Sequence, residues 1–116
     1  MIAVIFEVIP APGQRERYLA TAAALRSRLE AIDGFISVER FESLTQAGKM
    51  LSLSFWRDEA AVKQWREMDE HRGAQKLGRD AMFDDYRLRV ASVIRDYGMF
   101  ERAEAPQVYP EKVRPA

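Results

Sequence analysis

Between Ile2 and Ile32 the hydrophobic pattern changes period once, at Pro10-Ala11-Pro12-Gly13, and every fold open to this chain must accommodate that change. Ile2 to Ile9 is a β-branched and aromatic run, the composition of a strand, and the two prolines and the glycine end it in a turn. From about Gln14 onward, Tyr18, Ala22, Leu25, Leu29 and Ile32 recur at spacings of four, three, four and three. That is one continuous helical stripe. Arg15, Glu16, Arg26 and Glu30 fall on its far side, and Gly34 supplies a left-handed stop.

Phe35 to Leu44 is extended again, with Ile36 and Val38 on one side and Phe35, Glu39 and Phe41 on the other. The turn TQAGK leads into a strand from Met50 to Arg57, and so short a connection makes the pair an antiparallel hairpin. In this strand Leu51, Leu53 and Phe55 face one way; Ser52, Ser54 and Trp56 face the other. Asp58 is placed to cap a second helix that begins with Glu59, runs through Trp65 to about Leu77, either unbroken or with a break near Met68, and stops at Gly78. DAMFDDY reads as a short helical or turn segment, and Tyr86 to Tyr97 as the last strand, with Leu88, Val90 and Ile94 on one face. Residues 99–116 carry Pro106, Pro110 and Pro115 and no periodicity, so a domain over 1–98 is followed by a tail.

The order strand, helix, strand, strand, helix, strand predicts an α+β fold, the ferredoxin-like βαββαβ arrangement. It is a four-stranded antiparallel sheet with both helices on one face. The uncovered face would then carry Trp56, Phe6 or Ile5, and Phe35 or Phe41, more apolar surface than a lone chain usually shows. Two such sheets packed face to face would bury it, so a homodimer is expected. The tail, through Phe100, Val108 and Tyr109, would either lie across the partner subunit or stay loose.

Composition removes several functions. Lys+Arg and Asp+Glu balance at 18 each, so there is no bulk pull toward nucleic acid or an anionic membrane. The absence of cysteine removes disulfides, thiolate catalysis and cysteine-held metals, and a single histidine, His71, removes a histidine-rich metal site within one chain. No segment approaches the roughly 20 apolar residues that span a bilayer. The apolar N-terminus lacks a basic leader and a cleavage site, and the expected compartment is the cytoplasm. No glycine spacing suits a phosphate or dinucleotide loop, and no hydrolase elbow is visible.

With these elements in place, FISVERFESLTQAGKMLSLSFWRDEAAVKQW and the following EHRGAQ resemble the antibiotic biosynthesis monooxygenase (ABM) domain family of dimeric α/β barrels, over about residues 2–98. The resemblance implies a pocket in each subunit between the sheet and the second-helix region. It also implies activities ranging from cofactor-independent oxygenation of aromatic polyketides or quinols to heme degradation. The heme-degrading branch resembles this chain at one position only. Trp65 fits that branch's helix tryptophan, but its heme-ligand position falls on Gln75 and its first-strand asparagine on Phe6, near Glu7. Glutamine is a poor iron ligand, so heme is disfavoured and no resident cofactor is expected. The sequence leaves open an external supply of reduced flavin.

On a second helix advancing 100° per residue, Trp65, Met68, Arg72, Gln75 and Arg79 form one stripe, with His71 and Met82 at its edge. Indole, thioether, amide and guanidinium together suit a pocket wall on which a flat substrate stacks while polar groups hold its oxygens. His71 has the only side chain whose ordinary pKa, about 6.5, lies near neutrality, which makes it the natural base. Arg72 or Arg79 would stabilise the resulting anion. Phe83 and Tyr86 join the expected substrate wall. The competing assignment is a surface His71 bonded to Glu67, Asp69 or a backbone carbonyl, with the arginines solvated or paired to Asp69, Asp80, Asp84 and Asp85. The resemblance, together with this stripe, implies a cofactor-independent monooxygenase that joins O2 to a small phenolic, quinol or polyketide-like substrate. A non-oxidative isomerase or cyclase on the same scaffold, or a ligand-binding or stress-response module without catalysis, are the alternatives.

Overall fold

The computed structural model describes residues 1–70 and 81–106, with only the backbone course for Asp69 and Glu70. Along these residues run β1 (Ile2–Pro10), α1 (Arg15–Glu30), β2 (Phe35–Glu42), β3 (Met50–Trp56), α2 (Glu59–Glu70) and β4 (Phe83–Ser92). The strands form one antiparallel sheet in the order β2-β3-β1-β4. This is the ferredoxin-like α+β fold that the element order predicts. β1, the most uniformly apolar strand, takes a central place with partners on both sides. No helix among the described residues is long and apolar enough to cross a membrane.

Strand register sorts the side chains into two layers. Val4 pairs with Ser54 and Val90, Phe6 with Ser52 and Leu88, and Val8 with Met50 and Tyr86. These residues share the face that the helices cover. The core against that face has two centres. At one end Leu29, Ile32, Val38, Trp56 and Ala61 pack together; at the other, Val8, Tyr18, Met50 and Met82. Trp56 is 1% exposed, and its indole N–H donates to Ser54 Oγ at 2.9 Å, so its one polar atom is satisfied inside the core. Phe35 meets it edge-on, ring centroids 5.3 Å apart.

That placement corrects the sequence expectation for the uncovered face. Trp56 and Phe35 lie in the core and Phe6 faces the helices, so Ile5, Leu51, Leu53, Phe55 and Phe41 make up the outer apolar layer. The pairing of Ile36 with Val38 on one side also fails, because β2 carries an irregularity between Phe35 and Ser37. An extra residue in one strand reverses the parity on either side of it. Ile36 is left 53% exposed, while Phe35 turns to the same layer as Val38.

β4 begins three residues before the expected Tyr86 and ends five residues before Tyr97. Its limits are set by its partner. Phe83 pairs with Pro10 at one end and Ser92 with Ile2 at the other, beyond which Val93 N–H donates to Met1 O at 3.0 Å. Ile94 is accordingly 82% exposed. The expected continuation of α2 toward Leu77, like residues 107–116 of the tail, lies outside the described residues.

The two αβ junctions are tied together. α1 ends at Glu30, and Gly34, three residues past the cap at Ala31, takes φ +94° to turn the chain into β2 rather than closing the helix. Its carbonyl accepts Arg57 N–H at 2.7 Å, and a Cβ at Gly34 would stand 2.9 Å from Ala61 Cβ. Arg57 spans Asp33 and Asp58, while Asp58 Oδ1 accepts Ala61 N–H at 3.0 Å and caps α2 as the sequence predicts. The Asp58 carboxyl is held below its ordinary value by that backbone hydrogen bond first and by Arg57 second; Arg57 does the same for Asp33.

Three outcomes are expected. Trp56→Ala lowers the unfolding free energy by about 3–5 kcal/mol in a urea titration, the range for a large buried aromatic. Gly34→Ala destabilises by more than about 1 kcal/mol, since both the positive φ and the contact with Ala61 oppose a side chain. Because Asp33 and Asp58 have lowered values, their contribution is complete above the ordinary value of 3.8 and declines as pH falls through the folded-state values. Thermal melts should therefore lose stability on acidification below about pH 4, less steeply in Asp58→Asn, which keeps a cap but no titrating group.

Candidate functional site

The inward residues of β3 read Met50, Ser52, Ser54, Trp56: two large side chains flanking two small ones. The large ones belong to the two core centres, and the serines lie between them. Above them a cavity of about 380 Å³ lies between sheet and helices. Val4, Phe6, Ser52 and Ser54 are on its floor. Tyr18, Ala22, Leu25 and Leu29 of α1, with Val62 and Trp65 of α2, form its roof. Those α1 positions belong to the stripe that spacing assigns to the core; Tyr18, Ala22 and Leu29 are buried, and Leu25 is half-buried.

One end of the cavity is aromatic. Phe6 lies 5.9 Å from Phe83 and 5.6 Å from Tyr86, and Tyr18 packs edge-on against Phe83 at 5.5 Å, all centroid to centroid. Edge-to-face clusters of this kind hold their rings in fixed orientations. Tyr86, Leu88 and Val90 are 58%, 52% and 47% exposed although they line the cavity, so the site is open along edge strand β4.

Polar groups on the wall are few. Ser54 accepts the Trp56 N–H and keeps its own hydroxyl proton to donate. Arg66 of α2 is exposed at the rim. Arg40, inward-facing on β2 and paired in register with Ser52, brings a guanidinium whose Nε is sealed from solvent and has no hydrogen-bond partner. Glu7, next to Phe6, faces the opposite side of the sheet, where Lys49 at 3.2 Å and Arg89 at 3.4 Å bind it; the Lys49 hydrogen bond is the main cause of its lowered pKa. Among the described residues no group of three or more carboxylates or histidines could hold a metal.

The structure brings three of the sequence-selected residues, Trp65, Phe83 and Tyr86, onto one cavity. Met68 is 38% exposed and is not on its wall: three residues beyond Trp65, it sits farther toward solvent on the helix. His71, Arg72, Gln75 and Arg79 lie outside the described residues. Sequence reasoning passed over Arg40, Phe6 and the α1 residues Tyr18 and Leu25. For Arg40 a signal existed, since alternation from Val38 turns it inward, where a cation is out of place. For the α1 residues none existed, because a pocket roof and a core stripe share the same helical spacing.

Comparison with known proteins agrees with this architecture. Residues 1–77 match the family described as Antibiotic biosynthesis monooxygenase. A Pyricularia oryzae protein named Jasmonate monooxygenase ABM is 50% identical over 93 residues, which cover 80% of this chain and 43% of that protein. The chain thus spans less than half the length of that relative. Bacillus subtilis YqjZ is 33% identical over 94 residues, covering 80% of this chain and 79% of the other. A solved structure from Deinococcus radiodurans superposes with a TM-score of 0.72 at 12% identity, covering 86% of this chain and 99% of that one, a likeness of fold. The chain belongs to the antibiotic biosynthesis monooxygenase family.

Proposed function

We propose that the chain is an O2-dependent monooxygenase domain that takes a small, largely apolar ring compound into the cavity beneath α1 and α2. The observation that carries this reading is the cavity itself. It is apolar and aromatic on most sides, open at one edge, and built by the same strand alternation that forms the core. A pocket with a few polar groups in an apolar wall suits a flat, weakly polar substrate. Phenols, quinols and polyketide-like compounds fit that description, and the name of the Pyricularia oryzae relative adds jasmonate to the panel.

The reaction needs no resident prosthetic group where the substrate is itself the reductant. An activated methylene and one molecule of O2 give a ketone and one molecule of water. Both C–H bonds break and a C=O bond forms; one oxygen atom enters the product, the other leaves as water, and the substrate supplies all the electrons. Hydroxylation of an unactivated C–H needs two further electrons, for which reduced flavin from outside is the source. In the first case a protein base must take a proton from the substrate and a cation must hold the anion while water is kept away. We assign those tasks to His71 and to Arg72, as their residue types suggest. A homodimer completes the picture, since Ile5, Leu51, Leu53 and Phe55 form an apolar layer on the side of the sheet away from α1 and α2.

The test is oxygen consumption with quinols, anthrone-type substrates and jasmonate, each with and without reduced flavin, with the product examined for one added oxygen atom. Uptake above the protein-free rate is expected with at least one of them. Leu25→Trp, which fills the roof, should lower kcat/KM at least tenfold, about 1.4 kcal/mol in the barrier, with the circular dichroism spectrum unchanged. No uptake with any substrate under either condition would overturn the reading. Conversion without O2 would replace it with an isomerase or cyclase.

A further inference from the structure

We infer that Arg40, together with Ser52, forms an anion subsite in the cavity floor, and that the ligand it takes is a carboxylate carried on an apolar ring or short chain. The inference rests on the cavity being a binding site and names the chemical class of what enters it. Arg40, Ser52 and Phe6 lie in one row across three neighbouring strands, since Arg40 pairs with Ser52 and Ser52 with Phe6. The row thus joins a cation, a small hydroxyl and an aromatic ring on one inward surface.

Arg40 differs from the cations that the structure pairs with acids, and from unpaired arginines such as Arg28, Arg66 and Arg87, which among the described residues are exposed to water. Arg15 is bound by Glu16 and Glu42, Arg26 by Glu30, Arg57 by Asp33 and Asp58, and Lys49 and Arg89 by Glu7. Among the described residues Arg40 has no such partner, and its Nε is also without a hydrogen bond. The nearby acids are unsuited to supply one. Glu39, by strand alternation, points to the outer layer, and Glu42, two residues on, is engaged by Arg15. A guanidinium nitrogen removed from water and left unpaired opposes folding. Such a group is retained at functional sites, where the missing partner arrives with a ligand.

Chemistry selects the ligand. The planar guanidinium fork matches a carboxylate with two parallel hydrogen bonds. Ser52, and Ser54 with its free hydroxyl proton, add neutral donors at the same level of the floor. At the floor one cation with two hydroxyls suits a single negative charge; the second cation on the wall, Arg66, stands exposed at the rim. The rest of the ligand meets Val4, Phe6 and Leu25, which offer contact area and no hydrogen bonds, and the indole of Trp65. An inward charge on an edge strand also discourages edge-to-edge pairing, but that role is indifferent to what fills the cavity, which allows the two to be separated.

The experiment measures binding of 1-naphthaleneacetate and of its methyl ester to the whole chain by titration calorimetry at pH 7.5 under nitrogen, where no oxygenation occurs. The wild type should bind the acid at least tenfold more tightly than the ester. Arg40→Gln should bring the acid to the ester's affinity and leave the ester's unchanged, and Arg40→Lys should fall between. Arg40→Leu should raise the ligand-free melting temperature while abolishing the preference for the acid, an opposition that a merely structural arginine would not produce. Equal affinities for acid and ester in the wild type, no binding of either up to millimolar concentration, or an equal loss of both in Arg40→Gln would overturn the subsite. A retained acid preference in a protein that consumes no O2 supports the subsite while removing the oxygenase reading.

Discussion

The structure depends on a mismatch of side-chain size along one strand. β3 presents Met50, Ser52, Ser54 and Trp56 to the helices; α1 rests on both large ends, through Tyr18 and Leu29, and α2 on the Trp56 end through Ala61. Protein interiors otherwise pack at the density of organic crystals, so a gap of this size between two well-filled centres requires small residues at its floor. Ser52 and Ser54 meet that requirement, and Ser54 also satisfies the Trp56 indole that supports one end of the roof. Core and cavity are thus products of the same alternation. The residues that stabilise the fold at either end of β3 hold the middle of it open.

The two faces of the sheet divide the labour. Toward the helices lie the cavity, its aromatic end and Arg40. Away from them lies an apolar layer of Ile5, Leu51, Leu53 and Phe55, with Glu7 held at one side by Lys49 and Arg89. Because side chains alternate with a period of two, neither layer can be altered by a shift of one residue without exchanging it for the other. Phe6 and Glu7, adjacent in the chain, belong to different layers for this reason.

Much of this was legible in the residues. The element order, the hairpin around Gly48, the Asp58 cap and the α1 stripe follow from local chemistry, and the structure has each of them. Where expectation failed, the deciding contact was distant in sequence. The irregularity at Ile36 turns Phe35 into the core beside Trp56, and nothing in FISVERF marks it. The limits of β4 are imposed by β1, some eighty residues earlier in the chain, which begins pairing with Ser92 at Ile2 and stops near Pro10. Trp56 is expected on the uncovered side if the helices cover the opposite face of β3; the packing of α1 and α2 places it in the core instead.

The sequence by itself determined the kinds of element, their order and, away from the irregularity at Ile36, which side chains share a face, because these depend on periods of 2 and 3.6 and on a few turn and cap residues. It also marked Trp65, Phe83 and Tyr86 as wall material. Only the tertiary structure decided which face of the sheet the helices cover, and with it that Trp56 and Phe35 are core, that Tyr18 and Leu25 roof a cavity, and that Arg40 points into one. A pattern states which residues lie together on a surface; what that surface meets is settled by packing between segments far apart in the chain.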